Sequence, residues 1–280
     1  MGETGKDYTA EAVEAARSVI LELTHLLGVY RDRIVLIGGW VPPLLFPHVA
    51  SHHVGSVDVD LALDHRKLAD AGYRTIRRSL LARGYVEGSQ PFIFLRRVVI
   101  GGRTVTVEVD LLAGEYGGTG RAHRTQRVQD VRPRKARGCD LAFENPVEIH
   151  LEGTLPGGGK DSGTVRVASI VPFLVMKGIA LGDRMKAKDA WDIDFCLTHY
   201  PGGLGALALE FRPHLKQGIV LEALRSIGEK FVSPDHYGPR ACAEFENLTH
   251  PEDRAIRQRA AYERVADLLA GVGMPLDAHS

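Results

Sequence analysis

The sequence contains few cysteines and has no excess of either charge. Its three cysteines lie far apart in 280 residues, without a CxxC pair. An odd and dispersed set of thiols argues against a disulfide framework or a cysteine-based zinc site, and favours the reducing cytoplasm as the location. Basic and acidic residues number 35 each, so the formal net charge is zero. Nucleic-acid binding through overall charge is therefore excluded, and any basic surface must be local.

Long apolar runs and repeats are also missing. No stretch approaches the ~18 apolar residues that a transmembrane helix needs, and the polar, acidic N-terminus has no signal-peptide core. No repeat of about 20–50 residues is present. With 44% hydrophobic residues, the composition is that of an ordinary globular protein. The sequence predicts a cytoplasmic protein without a membrane partner, large enough for one large domain or two modest ones.

A short apolar segment, a pair of glycines and an alternating segment follow one another in the first quarter of the chain. The segment 34–37 predicts a buried strand that ends at Gly38 and Gly39. In the later alternating strand, Asp58 and Asp60 share one face. Neighbouring carboxylates repel each other unless a cation lies between them, and Mg²⁺ is their usual partner. Because glycines also let a backbone approach a phosphate, the stretch predicts a phosphate site beside a metal site.

A predicted β-hairpin supplies a third carboxylate. Two β-branched segments flank Gly101 and Gly102, which is a typical hairpin pattern. On the second arm Glu108 and Asp110 share one face. Asp110 is the predicted ligand because it lies at the end of the strand, and a carboxylate there would complete a site for two metal ions. The alternative is the exposed polar face of an edge strand.

The remaining pattern predicts an α+β protein in two domains. A mixed sheet of about five to seven strands is expected within residues 30–168. From residue 170 onward the sequence is helical, which places the domain boundary near 165–170 and divides the chain into 1–168 and 169–280. Outside the segments already described, helices are predicted over 9–27 and 65–83 and strands over 141–153 and 164–169.

The second half opens with a pattern that predicts one long helix. At ~100° per residue, Lys177, Arg184 and Lys188 fall within about 20° of one direction. On the same wheel Asp192 lies ~60° from Lys177 and Asp189 ~120° away. The basic stripe is typical of a phosphate-binding face, and equally of an exposed face with Asp/Lys pairs four residues apart.

Residues 121–137 form a basic run with seven Lys or Arg and one acid, Asp130. Such a run is typical of a solvated surface. Beside a nucleotide site it would also hold a triphosphate or an RNA backbone.

Taken together, four motifs resemble those of a known enzyme superfamily. The segments Ile37-Gly38-Gly39-Trp40, Asp58-Val59-Asp60-Leu61 and Val107-Glu108-Val109-Asp110 resemble the hG[G/S]…DhDh…h[D/E]h signature of the DNA polymerase β-like nucleotidyltransferases. The segment from Lys177 to Asp192 resembles the KxxAxxxRxxxKDxxD element of the AbiEii/AbiGii toxin branch. Members of that branch act in bacterial toxin–antitoxin and phage-abortive systems. Trp40 and the Pro42-Pro43 pair depart from the family pattern.

The resemblance implies a nucleotidyltransferase core in residues 1–168, followed by a helical domain. It implies that Asp58, Asp60 and Asp110 bind two Mg²⁺ ions, or Mn²⁺, for in-line displacement at the α-phosphate of an NTP. Gly38 and Gly39 would contact the phosphates.

The resemblance also assigns roles in the second half of the chain. Lys177, with Arg184 as its helper, would neutralise the departing pyrophosphate. Asp189 or Asp192 would orient Lys177 or assist deprotonation, and the sequence leaves the choice between them open.

Three functions are compatible with these motifs. The first is an NTP-dependent transferase that modifies a macromolecule such as a tRNA end, acts as a toxin and has a cognate antitoxin; the basic run favours this acceptor. The second is an enzyme that modifies a small hydroxylated molecule, because the Gly-Gly-Trp variant with His53 also resembles the aminoglycoside and lincosamide nucleotidyltransferases. The third is a catalytically silent binding module, which the full set of carboxylates and Lys177 argues against.

Overall fold

The computed structural model describes residues 4–68, 75–115, 125 and 128–276. Two compact units make up the chain. The sheet unit consists of Tyr8–Leu45 and Val54–Pro172, and the helical unit of Met1–Asp7, Phe46–His53 and Phe173–Ser280. The segment Phe46–His53 therefore belongs with the helical unit, although in sequence it lies between the glycine pair and the aspartate pair. The expected division at residues 168 and 169 did not include this exchange.

The sheet unit is built on a single mixed sheet, which confirms the predicted α+β class. Its described elements are α1 (Ala10–Leu26), β1 (Ile34–Ile37), α2 (Val41–Leu45), β2 (Val59–Leu63), α3 (Ile76–Ala82), β3 (Val86–Glu87), β4 (Ile93–Ile100), β5 (Arg103–Ala113), β6 (Arg134–Lys135), β7 (Val147–Thr154) and β8 (Lys160–Val167). The described residues hold eight strands, more than expected, because the two-residue strands β3 and β6 carry too little pattern to be recognised.

The strand order places the predicted carboxylate strands next to each other. The main path is β3-β4-β5-β2-β1-β8-β7, with β6 pairing to β5 outside it. Strand β2 runs antiparallel to β1 and parallel to β5, and β4 and β5 form the predicted hairpin. At the hairpin turn Gly101 has a φ of 56° and Gly102 a φ of 79°, which only glycine adopts easily.

Helix α1 supplies the apolar layer on one side of the sheet. The Thr9 hydroxyl accepts a hydrogen bond from the Ala12 amide, as expected of an N-cap. The buried side of the helix packs against β4, β5, β7 and β8 and is formed mainly by small and aliphatic residues, Ala15, Ala16, Val19, Ile20, Leu21 and Leu23. Fully burying a large aliphatic side chain contributes about 1.5–3 kcal/mol, so this helix contributes substantially to the stability of the unit.

Several predicted boundaries in the sheet unit were wrong. Strand β2 begins at Val59, so Asp58 precedes the strand. The described part of the expected helix 65–83 contains helix only at α3, which Thr75 caps. A 3-10 segment, Cys139–Phe143, takes the place of the first part of the expected strand 141–153.

The helical unit contains α4 (Ile170–Arg184), α5 (Ala187–His199), α6 (Gly203–Phe211), α7 (Gly218–Lys230), α8 (Tyr237–Phe245) and α9 (Pro251–Gly271), and the 3-10 segment Pro47–His52. Helix α5 packs against α6, α8 and α9. The largest fully buried side chains of this unit are aromatic: Phe173, Phe211, Phe231 and Phe245. In the part of the chain that the structure describes, none of the helices is both long and apolar enough to cross a membrane.

The predicted single helix through residues 170–200 was wrong. The helix ends at Arg184, Met185 adopts a left-handed φ of 49°, and α5 begins at Ala187. The Arg184 guanidinium donates two hydrogen bonds across this break to the Asp189 carboxylate, at 2.8 and 2.9 Å. A turn that is costly for a methionine backbone is thus stabilised by an ion pair with two hydrogen bonds.

Candidate functional site

Two of the predicted carboxylates lie side by side in the sheet unit. Asp60 on β2 and Asp110 on β5 are partners in the parallel register, so their side chains leave the same face of adjacent strands. Asp58 precedes β2 by one residue, and its charge also acts on Asp110. The sequence predicted this convergence from two separate motifs, and the strand pairing brings it about.

Asp110 is in an environment that disfavours its charged form. Burial, followed by the charge of Asp60, raises the pKa of Asp110 to about 7, while Arg134 opposes the shift. One carboxylate oxygen, Oδ1, is buried and has no hydrogen-bond partner among the residues the structure describes. A buried acceptor without a donor is costly, which indicates that this oxygen is suited to an additional cation or donor.

Gly38 lies directly against the Asp60 carboxylate. Its φ is 72°, and a Cβ atom added there would fall 1.9 Å from Oδ2 of Asp60. Only glycine satisfies both the backbone conformation and the close approach. Gly39 is buried in the same 3-10 turn. The glycine pair therefore brings a main-chain segment to the carboxylates; its contact with a phosphate stays a prediction.

Trp40, which departs from the family pattern, holds the loop that carries Asp58. The residue is only 4% exposed, and its indole Nε1 donates a 3.1 Å hydrogen bond to the main-chain carbonyl of Asp58. The sequence indicated no role for this residue. In the structure the Trp40 indole anchors the loop that carries Asp58 through this hydrogen bond.

Arg134 is a residue of this site that the sequence did not identify. Its Nη2 lies 3.7 Å from Oδ2 of Asp110, and its guanidinium carbon lies 5.8 Å from the ring centre of Phe92. A protein cation therefore accompanies the carboxylates, in addition to any metal ion they bind. The basic run gave a signal for Arg134, but only the pairing of β6 with β5 shows which of its residues reaches the site.

The ligand type of the carboxylates suits a divalent cation, whereas their arrangement suits it only in part. Two oxygen-bearing side chains in register, one of them with a buried oxygen lacking a donor, match the preference of Mg²⁺ for carboxylates. As the side chains stand, no group of three or more His, Cys, Asp or Glu within the described ranges is gathered closely enough to hold a metal ion. Asp60 and Asp110 thus form a pair, to which Asp58 would have to be added by a side-chain movement.

The helical unit contains a second concentration of charge, around Lys177. The amino group of Lys177 lies 2.7 Å from carboxylate oxygens of both Asp189 and Asp192. Burial by itself would lower the pKa of Lys177, but the two aspartates outweigh it and hold the pKa above its ordinary value. The sequence left open whether Asp189 or Asp192 orients Lys177. In the structure both aspartates contact the lysine, so both can orient it.

Lys188 and His53 complete this buried cluster. The amino group of Lys188 contacts both oxygens of Asp192, at 2.8 and 3.0 Å, and Nε2 of His53 lies 3.1 Å from one of them. Burial lowers the pKa of His53 to about 4 despite the nearby Asp192. The imidazole is therefore neutral at pH 7, and it donates from Nε2 because a carboxylate is only an acceptor. The histidine packs between Trp191 and Phe195.

This arrangement corrects the sequence-based account of the basic stripe. Lys177, Arg184 and Lys188 do come together, but across a helix break and around two aspartates. The stripe was expected to require an external polyanion to balance its charge. Asp189 and Asp192 already lie between the three cations, and Lys177 is 8% exposed.

The sheet unit also contains part of the basic run and an apolar cleft. Of the basic run 121–137, residues 121–124, 126 and 127 lie outside the described part of the chain. A small apolar cleft is bordered by side chains of α1, β1, β2 and β8, among them Leu36 and Leu61. Leu61 follows Asp60 in β2, so the cleft faces the opposite side of the sheet from the carboxylates.

The motifs and the geometry of the Asp60–Asp110 pair are the basis for any functional assignment. The resemblance to the nucleotidyltransferases rests on four short segments and the order in which they occur. Comparison with protein-family models, with curated proteins and with solved structures finds no significant match to this chain.

Proposed function

We propose that this protein is a nucleotidyltransferase that moves an NMP group from an NTP to an acceptor hydroxyl. The observation that carries the proposal is the pairing of Asp60 with Asp110 on adjacent parallel strands, directly against the Gly38 turn. Two carboxylates that bind metal ions and a glycine turn that brings the main chain close to them are groups that serve metal-assisted phosphoryl chemistry.

In this proposal the sheet-unit residues bind and orient the triphosphate. Asp60 and Asp110, joined by Asp58, would hold Mg²⁺, which when bound neutralises phosphate charge and activates the attacking hydroxyl. The Gly38 and Gly39 turn offers main-chain amides at close range to the phosphates. Trp40 fixes the Asp58 carbonyl and so limits where the Asp58 side chain can reach.

Residues of the helical unit enter the proposal as a supporting set. Lys177 and Arg184 already pair with Asp189 and Asp192, so they enter the proposal as part of a buried charge cluster that stabilises the helical unit. Asp189 and Asp192 would position Lys177, because each lies 2.7 Å from its amino group. In this role the two aspartates are positioning residues.

The proposed acceptor is RNA, such as a tRNA end. The basic run supports it, because four of its cations, Arg132, Arg134, Lys135 and Arg137, are described at or near β6, beside the carboxylate strands. The resemblance to the AbiEii/AbiGii branch supports a toxin role with a cognate antitoxin. Modification of a small hydroxylated antibiotic is the alternative.

A transfer assay tests this proposal. The full chain is incubated with each α-³²P-labelled NTP, Mg²⁺ and total RNA, and in parallel with aminoglycosides and lincosamides. Label should appear in RNA, and Asp60→Asn should abolish the transfer. Glu108→Gln is the matched control, because Glu108 lies on the same face of β5 two residues from Asp110, and it should retain activity.

The outcomes separate the acceptors. Label on an antibiotic and none on RNA would transfer the proposal to the small-molecule alternative. If Asp60→Asn left the incorporation of label unchanged, the Asp60–Asp110 pair would not be the active site. Growth arrest on induction of the wild type, absent with Asp60→Asn, is the expected result for a toxin.

A further inference from the structure

One strand connection brings the basic run to the carboxylates. Strand β6 pairs in parallel with the last residues of β5, with Arg134 opposite Leu112. Leu112 is two residues beyond Asp110, so β6 continues the sheet at the end where the carboxylates lie. From there the side chain of Arg134 extends to within 3.7 Å of the Asp110 carboxylate. Arg134 is thus the residue of the basic run that lies beside Asp110.

The guanidinium of Arg134 lies near Asp110 but forms no hydrogen bond with it. A separation of 3.7 Å between Nη2 and Oδ2 exceeds hydrogen-bond length. The Nε atom is buried and lacks a hydrogen-bond partner in the described parts of the chain. An arginine offers five N–H donors in a planar fork, and those of Arg134 make no hydrogen bond to Asp110 at this separation.

Phe92 gives this fork a fixed support. The ring centre lies 5.8 Å from the guanidinium carbon, a distance at which arginine is attracted to an aromatic face. The main-chain carbonyl of Phe92 accepts a 2.9 Å hydrogen bond from the Leu111 amide, so the ring is carried by the same hairpin as Asp110. The side chain of Arg134 is nevertheless 40% exposed. It is therefore both supported by the protein and accessible to a ligand.

A role as a simple counter-ion of Asp110 does not account for this geometry. A structural partner of a buried carboxylate is usually bonded through two parallel N–H groups, as Arg184 is to Asp189 in this protein. Arg134 makes no such pair, although Asp110 Oδ1 lacks a donor. The fork is therefore available to a second anion of matching shape, and a phosphate is such an anion.

We propose that Arg134, supported by Phe92, binds a phosphate group of the substrate beside Asp110. The proposal rests on the proposed nucleotidyltransferase function and adds a specific phosphate subsite to it. The phosphate belongs either to the NTP or to the backbone of the RNA acceptor. Both present the same oxyanion to the guanidinium, and separate binding measurements distinguish them.

Equilibrium binding to the full chain is the test. The affinity for α,β-methylene analogues of the four NTPs, which cannot undergo transfer, is measured by calorimetry in Mg²⁺. Affinity for total tRNA is measured by fluorescence anisotropy. The variants are Arg134→Gln, which removes the charge, and Arg134→Lys, which keeps the charge and removes the fork. Arg97→Gln is the control, because Arg97 is an exposed arginine of β4 outside the basic run.

Arg134→Gln should weaken binding about tenfold or more for the ligand that supplies the phosphate, as expected for a lost charge-assisted hydrogen bond. Arg134→Lys should lie between Arg134→Gln and the wild type, and Arg97→Gln should stay within about twofold of the wild type. Loss confined to the NTP analogues assigns the phosphate to the nucleotide, and loss confined to tRNA assigns it to the acceptor. Arg134→Lys also guards against misfolding of the glutamine variant, since it preserves the charge beside Asp110.

Failure of this subsite and failure of the proposed function give different results. Wild-type binding that Arg134→Gln leaves unchanged, or that Arg134→Lys matches fully, would overturn the assignment of Arg134 alone. A wild type that binds neither NTP analogues nor tRNA would contradict the proposed function, and this subsite with it.

Discussion

The amino group of Lys177 lies 2.7 Å from a carboxylate oxygen of Asp192, and the side chains of both are almost completely buried. Lys188 and His53 contact the same carboxylate. Burial would raise the pKa of Asp192, but the two lysines outweigh it and hold the pKa well below its usual range. The carboxylate is therefore charged in the folded protein and depends on its partners.

Replacing Lys177 should destabilise the protein. Lys177→Met leaves two buried carboxylates with fewer cations, which typically costs about 3–5 kcal/mol. The free energy of unfolding in urea measures the effect. Lys216→Met is the control at an exposed site, where a change within about 0.5 kcal/mol is expected. Equal stability of the two variants would show that the ion cluster contributes little.

The buried neutral state of His53 should make stability depend on pH. Its pKa is about 4 when folded and ~6.5 when unfolded, so the unfolded state binds more protons between these values. Stability is then present above pH ~6.5 and is lost as the pH falls toward 4. The contribution should decrease by about 2 kcal/mol between pH 7.5 and pH 5.

The measurement for His53 is a difference between variants, because Asp110 acts in the opposite direction over part of this range. Urea unfolding of the wild type and of His53→Gln is compared at each pH. The pH dependence of the difference should follow the titration of one histidine. Exposed His150 provides the control, and His150→Gln should leave the pH profile of the wild type unaltered. A His53→Gln profile parallel to that of the wild type would contradict the prediction.

Mg²⁺ binding at the carboxylate pair should weaken as the pH falls through 7. The pKa of Asp110 is raised to about 7, and a metal ion binds only the ionised carboxylate. In the metal-free protein, folding is favoured as Asp110 gains its proton, so this stabilisation is lost as the pH rises through 7. Mg²⁺ should therefore raise the melting temperature more at pH 8 than at pH 6.

Variants of the two carboxylates isolate this effect. Asp110→Asn should abolish the pH dependence of the Mg²⁺ response and make the metal-free protein about 1–2 kcal/mol more stable at pH 8, by removing a partly exposed charge repulsion. Asp58→Asn should weaken Mg²⁺ binding measured by calorimetry. If Asp58→Asn bound Mg²⁺ as tightly as the wild type, Asp58 would not be a ligand.

Gly38→Ala should displace the Asp60 carboxylate. The added methyl group would fall 1.9 Å from Oδ2 of Asp60, and the φ of 72° adds backbone strain of about 1–2 kcal/mol. Gly102→Ala is the matched control, because Gly102 has a φ of 79° and open space around it. Both variants should lose stability from strain, while only Gly38→Ala should also lose the thermal response to Mg²⁺. A normal Mg²⁺ response in Gly38→Ala would show that Asp60 is not essential to the site.

Local pattern was sufficient where neighbouring residues decide the structure. The apolar segment 34–37 forms β1, the β-branched segments around Gly101 and Gly102 form a hairpin, and Thr9 caps α1. In each case the deciding interactions lie within a few residues: side-chain alternation, a turn that needs positive φ, and a cap. The α+β class follows from the same kind of pattern, whereas the shared face of Asp60 and Asp110 also requires the pairing of β2 with β5.

Tertiary structure decided what depends on distant residues. Helix α4 ends at Arg184 and Met185 adopts a left-handed conformation, although neither proline nor glycine occurs at residues 184–187. An ion pair between Arg184 and Asp189 spans the break. Arg134 reaches Asp110 only because β6 pairs with β5. The sequence by itself determined which residues carry the charges, since periodicity and composition are local properties. Which charges meet was decided by strand pairing and helix packing, because those contacts join residues that no local pattern relates.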